Sequence, residues 1–193
     1  MWQALLDGLV LPQTENYNIF SKDNTNQEFI VDGIESTQFS NSNLQLPKYK
    51  FVHDRVQQAA YSLIPEEQKK PIHLKIGLLL LNNIPVAEQG EKIFKLVNQF
   101  NIAVEFISPQ AKRDELAQMN LIAGRKALAS TAYPAAVKYL TIGIQLLASD
   151  SWENKYQLIL ALYETGAEAA YLAGDFRQME QLVEVVLARA KLH

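Results

Sequence analysis

Ala123-Gly124-Arg125-Lys126-Ala127-Leu128, running on to Ala132-Tyr133-Pro134-Ala135-Ala136, can be laid on Gly166-Ala167-Glu168-Ala169-Ala170-Tyr171 and Asp175-Phe176-Arg177-Gln178-Met179. Small residues meet small residues at Gly124/Ala167 and Ala127/Ala170. An aromatic follows the turn in both copies, as Tyr133 and Phe176, and an aliphatic recurs at Leu140 and Val183. Helical periodicity on both sides of a short turn makes two antiparallel helices, and small side chains at their crossing let the backbones approach. The stretch therefore predicts a mainly α fold of stacked antiparallel helix pairs.

Working outward, the last four helices are expected at about residues 111–131, 134–148, 151–173 and 176–191. This is the logic of tetratricopeptide repeats, with copies spaced more widely than the usual ~34 residues. The repeats are thus degenerate, with longer helices. An earlier pair, 72–107, is expected to stack ahead of them. Its second helix runs from about Glu88 to Ile107, where Ser108-Pro109 breaks it. Pro65-Glu66-Glu67 signals a helix start, and Pro71 either starts or kinks the helix through Leu81, which Asn82-Asn83-Ile84-Pro85 stops. His53-Asp54 opens a further helix, with a first-turn carboxylate suited to the helix dipole.

Upstream the period changes. Trp2 to Leu6 reads as the last turns of a helix, and Leu9-Val10-Leu11-Pro12 as a short strand. Residues 13–47 are rich in Asn, Ser, Thr and Gln and read as a polar insertion, partly disordered by composition, in which Phe29-Ile30-Val31 could add a strand. Lys48-Tyr49-Lys50-Phe51-Val52 alternates and reads as a second strand. Both ends look cut, since Leu182 to Leu192 is still periodic at the terminus.

With 193 residues, 48% hydrophobic and 20% charged, the chain can bury a sizeable core. A net charge of -3 supplies no basic field to recruit nucleic acid or anionic lipid. The absence of cysteine removes disulfides, thiolate metal sites and cysteine nucleophiles together, and fits a reducing compartment. No stretch reads as a signal peptide, and Ile76 to Leu81 is far too short to span a bilayer. The expected location is the cytoplasm.

Three runs carry a resemblance: Tyr49-Lys50-Phe51-Val52-His53-Asp54-Arg55-Val56-Gln57-Gln58-Ala59-Ala60-Tyr61-Ser62-Leu63-Ile64-Pro65, then His73-Leu74-Lys75-Ile76-Gly77-Leu78-Leu79-Leu80, then Glu115-Leu116-Ala117 into Asn120-Leu121-Ile122-Ala123-Gly124-Arg125-Lys126-Ala127. The chain resembles the segment after the ATPase core in the serine/threonine kinase, STAND-type AAA ATPase and sensor histidine kinase fusions typical of cyanobacteria. The resemblance implies that residues 1–64 end a winged helix, with Leu9–Leu11 and Tyr49–Val52 as its hairpin around the insertion. Residues 65–193 would be the tetratricopeptide-like region.

No residue pattern supports bond chemistry here. A phosphate loop needs a glycine-rich turn with free backbone N–H groups and a lysine. Gly124-Arg125-Lys126 lies mid-helix with no earlier glycine in place. His53-Asp54-Arg55 is not a kinase catalytic loop, because the order is wrong and no metal-binding Asn follows. His53, His73 and His193 are too few and too dispersed for a structural zinc site. Glu66/Glu67 suit a helix N-terminus, and Glu164/Glu168 read as one solvated helix face. Arg55, Lys69 and Lys70 are mixed with acids and argue no DNA groove. No catalytic, cofactor-binding or metal site is expected, and no nucleic-acid, membrane or small-molecule partner.

The inner side of the repeats is a candidate contact face, where Gln118, Leu121, Arg125 and Leu128 would lie beside Ala161, Glu164, Glu168 and Tyr171. Arg125 and Glu168 occupy near-equivalent positions and are expected to engage each other. Either further helices cover this groove, or it contacts a peptide or another domain. The expectation is a non-catalytic, regulatory and scaffolding segment of a large signalling kinase, whose partners are the parent's other domains or a partner protein. The rivals are a free-standing tetratricopeptide adaptor, which needs a capped end, and a winged-helix transcription regulator, which needs a basic recognition helix. An enzyme of another type has no motif behind it.

Overall fold

A computed structural model describes residues 10–12 and 49–189. Trp2 to Leu6, the insertion with Phe29–Val31, and Ala190 to His193 lie outside the described residues. The chain divides into two units, 1–65 and 66–193.

In the first unit, β1 (Val10–Pro12) pairs antiparallel with β2 (Tyr49–Phe51), in register Val10↔Phe51, Leu11↔Lys50 and Pro12↔Tyr49. Helix α1 (Asp54–Ser62) follows, with Asp54 in its first turn. His53 sits before it in extended conformation, and its carbonyl accepts the N–H groups of Val56 and Gln57 at 3.0 and 3.2 Å. The two stretches expected to pair around the insertion do pair, but a three-residue ladder and one helix do not by themselves show a winged helix.

The second unit is helical: α2 (Glu66–Asn83), α3 (Val86–Gln89), α4 (Ile93–Ile102), a 3-10 turn (Val104–Phe106), α5 (Gln110–Ala129), α6 (Tyr133–Leu146), α7 (Ser151–Asn154), α8 (Tyr156–Leu172) and α9 (Phe176–Arg189). Glu66 and Glu67 occupy the first turn of α2, and Pro71 lies inside it. Proline removes one i→i−4 bond. The carbonyl it cannot serve belongs to Glu67 in the exposed first turn, so the helix runs on.

Two expected helices are broken. The span 88–107 is α3, a turn at Gly90–Lys92, α4 and the 3-10 turn; Lys126 holds that first turn, donating to the carbonyls of Gly90 (3.1 Å) and Glu91 (2.8 Å). The span 151–173 breaks at Lys155, whose backbone leaves the helical region (φ -137°, ψ 37°) and whose ammonium pairs with Asp114 at 3.2 Å.

The pairs α5/α6 and α8/α9 are antiparallel hairpins, and α8 packs along α6, so one pair stacks on the next. Small residues set the spacing. A Cβ on Gly124 would stand 2.5 Å from Leu140 Cγ, and one on Gly143 would stand 2.6 Å from Leu162 Cδ2. Only glycine admits helices that close. Leu140 is wholly buried between α5 and α8, with its Cβ also 3.8 Å from the Cβ position of Gly166. The core runs through Phe100, Leu116, Ala127, Ala136, Leu140 and Leu162.

Both hairpins turn the same way. Ala132 N–H reaches Ala127 O and Thr131 N–H reaches Leu128 O, each at 2.9 Å. In the second hairpin, Asp175 N–H reaches Ala170 O at 2.9 Å and Gly174 N–H reaches Tyr171 O at 3.0 Å. This crossed pair of bonds, closed by a left-handed residue, satisfies carbonyls that a helix end would otherwise leave free.

Candidate protein-contact face

The helix pairs place the candidate residues unevenly. Gln118 and Arg125 lie exposed on α5, and Glu164, Glu168 and Tyr171 lie exposed on α8. Leu121 does not line a groove. It is 3% exposed and packs with Phe100, Leu116 and Ala117, because α4 covers that side of α5. Leu128 is half-buried against the same core. Tyr171 meets Phe176 edge to face at 5.9 Å across the α8/α9 turn.

Among the described residues no ion pair joins Arg125 to Glu168. Equivalent positions in a repeat are neighbours only when the two first helices lie side by side, and here α8 lies chiefly along α6. Glu164 and Glu168 stay solvated, one turn apart.

The remaining polar groups serve the fold. The His73 ring Nδ1 lies 2.6 Å from Gln99 Oε1, tying α2 to α4. Gly124-Arg125-Lys126 is inside α5, with Lys126 turned to the Gly90–Lys92 turn and its ammonium 5.7 Å from the Phe94 ring centroid. His193 lies outside the described residues. Among the described residues no group of three or more acids and histidines converges to hold a metal, and no helix is long and apolar enough to cross a membrane.

Sequence reasoning missed three features. Asn120, 0% exposed, exchanges two amide hydrogen bonds with Asn101 at 2.9 and 3.0 Å and donates a third to Leu116 O at 2.9 Å. Its signal was available: it is the lone polar residue on the buried stripe Leu116, Ala117, Leu121, Gly124. Arg113 and Gln110 both donate to Leu146 O, at 3.3 and 3.1 Å, closing the C-terminal end of α6. Trp152 packs against Tyr163 (5.4 Å between centroids) and Tyr156 (6.1 Å). Burial there pushes the Tyr163 phenol above its usual 10.0, and the positive charge of Arg189 works against that rise.

No family model and no solved structure matches the chain. One relative is similar: the hybrid signal transduction histidine kinase G of Dictyostelium discoideum, 32% identical over 170 residues. The match takes in 76% of this chain and 5% of that protein. The chain is therefore similar in sequence to a short segment of a signal-transduction histidine kinase, whose full length it spans only to about 5%.

Proposed function

We propose that this chain is a non-catalytic regulatory and scaffolding segment of a large signal-transduction kinase, acting through helical contacts between domains. One observation carries the reading: the similarity to a signalling histidine kinase covers 76% of a chain built largely of stacked helix pairs. Such pairs present side chains at fixed spacing along an extended surface, which suits partner contact. In the full reading, the parent carries a STAND-type ATPase, residues 1–64 close a winged helix, and residues 65–193 are tetratricopeptide-like. The segment then couples the ATPase's nucleotide state to downstream output. Gln118, Arg125, Glu164, Glu168 and Tyr171 are the contact positions, with the parent's other domains or a partner protein as the occupant. The location is cytoplasmic.

The test is calorimetry of the chain with ATP and magnesium, which should give no saturable heat. Micromolar binding at one site per chain would overturn the non-catalytic reading.

A further inference from the structure

The contact between neighbouring pairs is made twice by sequence but only once by structure. On α6, Leu140, Gly143 and Ile144 face α8: Gly143 receives Leu162, while Leu140 and Ile144 lie 3.8 and 3.9 Å from the Cβ position of Gly166. The repeat register that pairs Thr131 with Gly174 carries these three onto Val183, Val186 and Leu187 of α9. Leu140 is 0% exposed, but Val183 is 36% exposed and Leu187 78%. The apolar face that receives a helix on α6 is thus present on α9, exposed at Val183 and Leu187 and half-buried at Val186. The side of α9 that borders this face at Val186 is already used, since Leu182 reaches 3.3 Å from the Cβ position of Gly166.

We infer that this face of α9 docks an amphipathic partner helix with a basic flank, laid as α8 is laid on α6. Two details set its chemistry. Val186 stands where α6 has Gly143, so it fills the space that Leu162 enters in the inner contact. The occupant needs alanine or glycine at that point. Glu180 and Glu184 lie exposed one turn apart beside Val183 and Leu187, and neither has an ion-pair partner among the described residues. Lysine or arginine on the occupant's flank answers them. The same acids argue against a second copy of this chain, because two α9 helices laid face to face would set Glu180 and Glu184 against their like.

The inference rests on the reading of this chain as a contact-making segment and names the kind of partner. Its test is separate from nucleotide calorimetry, so either can fail alone. The probe is a labelled peptide of residues 156–172 carrying Leu162→Ala, with lysine placed beside the Leu162/Gly166 face by Tyr163→Lys and Ala167→Lys and the outward acids removed by Glu164→Gln and Glu168→Gln, titrated into the full chain at low salt. Saturable binding is expected. Leu187→Glu should weaken it about tenfold or more, as charge entering an apolar contact does. The double change Glu180→Lys with Glu184→Lys should also weaken it. All three positions are exposed, so circular dichroism melts of both variants should match the parent chain. No saturable binding, or binding that survives Leu187→Glu undiminished, overturns the proposal. So does concentration-dependent dimerisation of the chain alone that Leu187→Glu abolishes, because the occupant is then a second copy.

Discussion

Thr131 and Gly174 occupy the same left-handed position, with φ 57° and 78°, at the ends of α5 and α8. Glycine adopts that conformation freely, whereas a β-branched residue is held there against a steric penalty of about 1–2 kcal/mol. Thr131→Gly should therefore raise the urea midpoint, by roughly 1 kcal/mol of stability, after glycine's greater unfolded-state entropy is counted. Gly174→Thr should lower it by a similar amount. Midpoints moving the opposite way would show that the two turns are not equivalent.

Ala127 and Ala170 are 1% and 0% exposed where each first helix meets its partner. Enlarging either to leucine forces added atoms into a packed contact, at about 1–3 kcal/mol each. Chemical denaturation of the two single variants checks this. Two unchanged midpoints would refute the pairing register.

The Asn101–Asn120 exchange predicts a coupling. Asn120→Ala strands the Asn101 amide in a part-buried site, at about 1–3 kcal/mol. Removing both amides should cost clearly less than the two single losses added together. A double-mutant cycle measures the difference, and strict additivity would mean the two residues do not interact.

Tyr163 gives a pH dependence at the alkaline end. Its native pKa lies above the ordinary 10.0, raised by burial and tempered by Arg189. Below the unfolded value the phenol is protonated in both states and its contribution is intact. As pH rises past 10.0 the unfolded chain ionises first, so stability falls until the native pKa is passed. Tyr163→Phe should flatten that alkaline limb relative to the parent chain and leave the neutral region's slope unchanged. An identical limb would place the phenol in solvent.

The helix pairs were legible because their signal is local: period, turn and small residues recur together in both copies. The turn equivalence of Thr131 and Gly174 follows from that register. What escaped depends on contacts distant in sequence. Leu121 reads as groove-lining until α4 is known to cover it. Arg125 and Glu168 match in register, but side-by-side first helices are a property of stacking angle, which no periodicity encodes. The breaks at Gly90 and Lys155 are held from outside, by Lys126 and Asp114, so the helical period alone runs straight through them. Asn120 was visible as a polar residue on an apolar stripe, although its partner Asn101 was not.

Leu140 stands between the glycines of two different helices, against Gly124 on one side and Gly166 on the other. A side chain gripped from both sides makes the two hairpins thermodynamic neighbours and not merely spatial ones. Loosening α5 from α6 frees the wedge that also spaces α6 from α8, so the second hairpin loses support at the moment the first one opens. Stacked repeats of this kind melt with nearest-neighbour cooperativity. The consequence is a linkage: α5 and α8 are joined both by direct contact and through this leucine, so the packing that holds one pair together also holds it to the next.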